Sequence, residues 1–244
     1  MKSIRALTLD AGQPKFKAPK SAEGEYNRQL RSVAKQVGHL IKLYQAGAAL
    51  LPGLESALAI YAEALSPWAK NVAARMLDSV SKTNYRHWKA ESKKIGKELR
   101  ADPNIAIARL LQEEQVVLIT SLPIEAGRRA QDLAMQAATG GRRADEVAAE
   151  IARSGEVTAS RATLIARTEV AKANSVITQA RSAEIGSNKY IWRTAEDESV
   201  RESHAEMEGV VVDWDNPPTL SDGTTTHAGQ IYNCRCYPEP IIEG

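Results

Sequence analysis

Aromatic residues are scarce in this chain of 244 residues, 5% in all, and Phe16 is its single phenylalanine. That scarcity argues against a β-sandwich core and against an aromatic-lined ligand pocket. Cysteine is nearly absent too. Cys234 and Cys236 stand one residue apart, too few and too close for a disulfide framework, so a reduced compartment suits them best. No stretch of about eighteen consecutive apolar residues occurs, and Met1 to Lys20 holds no apolar core of a secretory signal. The expectation is a protein without a membrane span, made and kept in a cytoplasm. An excess of one charge is also missing: 32 basic residues face 30 acidic ones, for a net +2, so any case for nucleic acid or membrane must come from local runs.

What is present is an ordinary globular balance, 43% apolar and 25% charged, with abundant alanine. Alanine favours helices and lets them approach closely, so most of the chain is expected to be helical. Residues 1–24 carry Lys2, Arg5, Lys15, Lys17 and Lys20 against Asp10 and Glu23, broken by Pro14 and Pro19, and read as a basic, extended arm. Beyond it, Tyr26, Leu30, Val33, Val37, Leu40 and Tyr44 recur at steps of four and three, the stripe of an amphipathic helix ending near Gly47. A second helix follows Pro52 and Gly53, and Ser66 with Pro67 reads as the cap and first turn of a third. Asp102 and Pro103 open another, which Ser121 to Pro123 interrupt. Later helices are expected from Pro123 to Gly140, from Ala144 to a stop at Gly155, and from a cap at Thr158 or Ser160 to Gly186.

After Gly186 the pattern changes. Tyr190 to Thr194, Val210 to Asp213 and Tyr232 to Ile242 read as extended, Asp197 to Met207 as a short helix, and Asn216 to Pro218 as a turn. The fold class expected is therefore α+β. It comprises a mainly helical body, divided at 25–119 and 120–186, and a small α+β domain at 187–244.

Two sets of residues carry chemistry. Between Lys82 and Arg100, the cations Arg86, Lys89, Lys93, Lys94 and Lys97 interleave with Tyr85 and Trp88, a pattern able to lie along DNA phosphates or to form a solvated helix face. In the C-terminal part, Asp197, Arg201, His204 and Glu208 fall at helical spacing and would share one face as a polar cluster joined by Asn233 and Arg235. His204, His227, Cys234 and Cys236 supply two imidazoles and two thiols, the donors of a structural zinc site that would staple a domain with a thin core. The Cys-x-Cys spacing is not that of a zinc finger, and small buried thiols beside a hydrogen-bonded histidine are the alternative.

The order of motifs in the C-terminal half resembles that of the phage Mu F-like head-morphogenesis proteins, minor capsid proteins of tailed phages. The series runs from Pro123–Arg129 (PIEAGRR) through a glycine turn, ADEVAAEI and Ile165–Ser175 (IARTEVAKANS). It continues to Trp192, Asp197–His204 (DESVRESH), Gly209 and Asn233–Pro238 (NCRCYP), covering about residues 120–241. It departs from the family at Thr226–Gly229 (THAG), where a proline-glycine pair is usual. The resemblance implies a virion protein in few copies at the portal vertex or head interior, acting in assembly, DNA packaging or delivery. Its partners would be portal or capsid proteins, with packaged double-stranded DNA as an accessory contact and no membrane.

No reaction is implied. A thiolate of Cys234 activated by His204 or His227 and oriented by Asn233 or Asp197 would satisfy the logic of nucleophile, base and orienter. Phosphate loops, zinc-protease helices and nucleophile elbows are missing, however, and the expectation is a non-enzymatic protein.

Overall fold

The computed structural model describes residues 16–45, 51–95, 105–140 and 143–242. Four long helices form the body: α1 (Lys20–Gln45), α2 (Leu51–Ile95), α3 (Ile105–Gly140) and α4 (Ala144–Glu184). At about 1.5 Å per residue, the 45 residues of α2 reach about 68 Å, so the body is a rod. Side-chain pairings show that successive helices run antiparallel. Gln112 and Gly127 of α3 meet Lys70 and Glu55 of α2, Arg161 and Lys172 of α4 pair with Glu125 and Glu114 of α3, and Gly155 and Arg167 of α4 meet Gly38 and Glu23 of α1, the numbering running in opposite senses in each case.

The stripe read on α1 is the buried one, with Tyr26, Leu30, Val33 and Val37 each at most 1% exposed. It packs with Val72, Met76, Ile119, Ala166 and Val170 in the main core. A second cluster, built on Val37, Ile41, Leu54, Leu58, Ala130 and Ile151, closes the end of the rod near the α1–α2 connection.

Three expected helix breaks are absent. Pro67 lies inside α2 and Pro123 inside α3, while α4 runs unbroken through Gly155 and past Thr158 and Ser160. Pro67 is on the exposed side of α2, where the carbonyl it leaves without a donor can meet water. In the turn before Pro123, the Thr120 and Ser121 hydroxyls bond the carbonyls of Val116 and Leu118, the back-bonding that serine and threonine make inside helices. The cap expected at Asp102–Pro103 lies outside the described residues.

The basic-arm reading is corrected from Phe16 onward, while residues 1–15 lie outside the described residues. Phe16 is 2% exposed and packs edge-on against Trp88, with Tyr237 completing the cluster. Its N–H donates to His87 Nδ1 and its carbonyl accepts from Asn174 Nδ2. Helix α1 then starts at Lys20, four residues later.

The remainder is a small knob. Strands β1 (Lys189–Arg193), β2 (Val211–Asp213) and β3 (Tyr237–Pro240) form an antiparallel sheet in the order β2-β1-β3, with Tyr190 opposite Val212 and Trp192 opposite Pro238. Alternation along β1 turns Tyr190 and Trp192 to one buried face, where they meet Trp214, Leu220, Cys234 and Cys236. The architecture is thus the expected one, a mainly helical body carrying a small α+β unit. Among the described residues no helix is long and apolar enough to cross a membrane.

Candidate functional site

The extended chain leading into β3 places residues two apart on one side. Cys234 and Cys236 therefore point together into the knob, 2% and 4% exposed, while Arg235 turns outward. His204, on the one-turn helix α5 (Glu202–Ala205), is equally buried and brings its Nδ1 to 3.4 Å from each sulfur. The Cys236 N–H donates to Cys234 Sγ at 3.3 Å. Trp192 stands perpendicular to the imidazole, its ring centre 5.8 Å away, and walls the group off.

These contacts split the behaviour of the thiols. The Cys234 thiol is pulled down to about 4 by the hydrogen bond from Cys236, with further help from His204 and the Cys236 N–H, against the opposing effect of burial. The Cys236 thiol is pushed up by its neighbour Cys234 and by burial. The pair therefore gives up its first proton readily and holds its second.

The two sequence-derived groupings are rearranged. His227 does not join the other three donors. Its Nδ1 lies 3.2 Å from the Tyr190 hydroxyl and its ring packs beside Trp214; burial holds its basicity below the ordinary value. The metal-ligand set among the described residues is thus His204, Cys234 and Cys236, whose donor atoms all lie within 4.8 Å of one another.

The expected helix over Asp197–Met207 shrinks to the single turn α5. Asp197 explains the loss, because its carboxylate accepts the Ser199 N–H in a local turn that competes with helix formation. Asp197, Arg201, His204 and Glu208 consequently do not share a helix face. Glu208 instead holds Arg193 and both the N–H and hydroxyl of Thr194 on the sheet side.

Asp197, Arg201, Asn233 and Arg235 still converge, but on the segment carrying the cysteines. Arg235 forms a two-pronged pair with Asp197, and Arg201 donates to the Tyr232 carbonyl. The Asn233 N–H donates to Thr168 Oγ1 on α4, and its side-chain oxygen accepts from Arg167. Burial opposes the charge on the Asp197 carboxyl, but Arg235 and the Ser199 N–H together hold it below its ordinary value.

Helix α4 is the platform for the knob, a role the sequence reading did not assign. Ser175 donates to the Ala228 carbonyl at 2.7 Å and accepts from Gln230, one face of α4 from Arg167 to Ser175 lying against residues 228–236. The signal was present in the motif order: IARTEVAKANS and NCRC belong together because the first carries the second.

The basic residues Arg86, Lys89 and Lys93 are exposed on α2, with Trp88 turned inward at 1% exposure and Tyr85 outward at 44%. The Lys94 side chain and Lys97 lie outside the described residues.

Comparison with known proteins joins this geometry to a family. Residues 129–238, which include the end of α3, all of α4 and the knob through the first residues of β3, match the family described as phage Mu protein F like protein. This segment is similar to the phage Mu F-like family. An uncharacterized protein of Haemophilus influenzae is 44% identical over 70 residues, which is 29% of this chain and 15% of that protein. The chain thus spans a small fraction of the length of the curated relative it matches. No solved structure matches. The Mu F-like match agrees with the head-morphogenesis resemblance of the motif series.

Proposed function

We propose that this chain is a minor head protein of a tailed phage, acting by binding at the portal vertex or inside the head during assembly, packaging or genome delivery. The observation that carries this reading is the Mu F-like region itself, whose matched residues coincide with the knob and the helix that supports it. A long helical rod bearing a compact knob suits a connector between larger assemblies, since each end can meet a different subunit. The carboxylates of the knob support a non-catalytic role: Asp197, Glu208 and Asp222 are each engaged by neighbouring donors rather than facing the thiols as a free base.

The test is direct. Heads purified from a phage carrying the gene are expected to contain the chain in few copies, and deletion is expected to yield heads that are incomplete or not infectious. Full, infectious heads that lack the polypeptide would overturn the reading.

A second contact, with packaged DNA, is favoured by the exposure of Arg86, Lys89 and Lys93 on one stretch of α2. Such a contact is non-specific and reads phosphate charge alone. Replacing all three by glutamine is expected to lower the slope of log affinity against log salt by about 2 to 3. An unchanged slope would make this a solvated face and nothing more.

A further inference from the structure

The knob is built from little regular structure. Its strands have five, three and four residues, and α5 has four. Units of this kind usually depend on a cross-link or a metal, because their buried apolar area alone gives little stability. Disulfide bonding is not used, since Cys234 and Cys236 are free thiols.

We propose that His204, Cys234 and Cys236 hold one zinc-class ion, bound through His204 Nδ1 and the two sulfurs, with water as the fourth ligand. The inference goes beyond the head-protein reading and stands whether or not the chain enters virions.

Four observations on independent features carry it. The first is the donor set, because one imidazole and two thiolates favour a borderline-soft cation over magnesium or calcium. The second is distance. Zinc–sulfur bonds of about 2.3 Å and a zinc–nitrogen bond of about 2.0 Å at tetrahedral angles keep nitrogen and sulfur about 3.5 Å apart. The structure holds Nδ1 at 3.4 Å from both sulfurs.

Third, hydrogen bonding alone leaves the group unsatisfied. His204 is 2% exposed, and its Nδ1 is the ring nitrogen that faces both sulfurs. A single ring N–H on Nδ1 would have to serve both sulfurs, whereas a cation satisfies all three donors at once. The backbone N–H of Cys236 on Cys234 Sγ adds the kind of donor that stabilises a metal-bound thiolate.

Fourth, the sulfurs are held from outside by bonds that a metal would not disturb. Arg235 to Asp197, Arg201 to the Tyr232 carbonyl and Asn233 to Thr168 fix the chain on both sides of the cysteines. The ligands are thereby positioned before the ion arrives, which lowers the ordering cost of binding.

The site is structural in character, because among the described residues no carboxylate is placed to act as a base on the bound water. Glu208 is occupied by Arg193 and Thr194, and Asp222 by Ser203 and Thr224. His227 remains outside, beside Tyr190.

The experiment uses the full chain, purified under reducing conditions, stripped with a chelator and titrated with Co(II) as a spectroscopic substitute for zinc. One equivalent is expected to bind, giving the intense visible bands of tetrahedral cobalt together with thiolate-to-cobalt charge transfer. Zinc is expected to displace it. His204→Gln and Cys236→Ser are expected to weaken binding by roughly 100-fold or more, and Cys236→Ser to lower the charge-transfer intensity, whereas His227→Gln stays within about twofold of the parent.

Co(II) titration of the unmutated chain decides the matter even where a variant does not fold. A reduced, folded chain that takes up no cobalt overturns the proposal. Binding without charge transfer, or binding lost with His227→Gln and retained with His204→Gln, overturns it as well.

Discussion

Gly155 on α4 faces Gly38 on α1 so closely that a β-carbon at position 155 would lie 3.1 Å from the Gly38 α-carbon. The reverse substitution is looser, since a β-carbon at position 38 would sit 3.8 Å from the Gly155 α-carbon, an ordinary contact. Both residues are inside helices, where alanine is preferred to glycine by about 1 kcal/mol. Gly38→Ala is therefore expected to stabilise the protein by about 0.5–1 kcal/mol. Gly155→Ala must push one backbone against another, so it is expected to destabilise it. Thermal unfolding of the two variants checks the sign of each change, and the same sign for both would contradict the crossing described.

Arg181 gives a second expectation, because its guanidinium lies in the core at 2% exposure. It donates to Asn84 Oδ1 at 2.6 Å and to the carbonyl and hydroxyl of Ser81. Asn84 in turn donates to Asn174 and Thr178, and Asn174 reaches the Phe16 carbonyl. One network thus ties α2, α4 and the N-terminal segment together. Asn84→Ala leaves a buried charge short of an acceptor and is expected to cost about 2–4 kcal/mol in denaturant unfolding. It should also speed hydrogen exchange at Phe16. A loss below about 1 kcal/mol would mean that water replaces the amide without strain.

These two cases show how much of the molecule was legible beforehand. The α1 stripe could be read because its apolar spacing is regular and its burial follows directly. The same local rules failed at Pro67, Pro123 and Gly155, where tertiary packing holds helices together across residues that would end them in isolation. Gly155 is in its helix because of Gly38, 117 residues away in sequence, and no local window contains that information. In the knob, the convergence of His204 with the cysteines was readable from residue chemistry, and the exclusion of His227 was not. Which imidazole meets the sulfurs depends on sheet register, fixed by the pairing of Trp192 with Pro238.

Burial raises the Glu169 carboxyl above the ordinary value of 4.5, and Gln115, which hydrogen-bonds it, only partly offsets this. The folded state therefore binds more protons than the unfolded state at pH values from the ordinary glutamate range up to the raised folded value. In that window stability falls as pH rises, and the penalty is complete above it. Replacing the carboxylate by the neutral amide in Glu169→Gln removes the penalty while keeping an oxygen to accept from Gln115. The variant is expected to be more stable than the parent at neutral pH, with the difference shrinking as pH falls through the window. Parallel unfolding curves across pH measure it; a constant difference at all pH values would rule out titration of Glu169 as the cause.

The packing inside the knob turns on Gly229, which has a φ of +82° and faces the Cys236 carbonyl, with Ser175 and Ala171 of α4 at ordinary contact distance. A β-carbon there would lie 2.8 Å from the Cys236 oxygen, a distance that forces the chain to move. Gly223 is the natural control. Its φ of +83° is equally left-handed, but a β-carbon at that position meets nothing within 4 Å. Gly223→Ala should then cost only the backbone preference, about 1 kcal/mol. Gly229→Ala adds a backbone clash and is expected to cost more than about 2 kcal/mol. The loss should be local: hydrogen exchange at Lys189–Arg193 and Tyr237–Pro240 speeds up while the α1–α4 amides away from the contact keep their protection. Equal effects of the two substitutions would show that the turn alone matters and that the Cys236 carbonyl is not packed against this glycine.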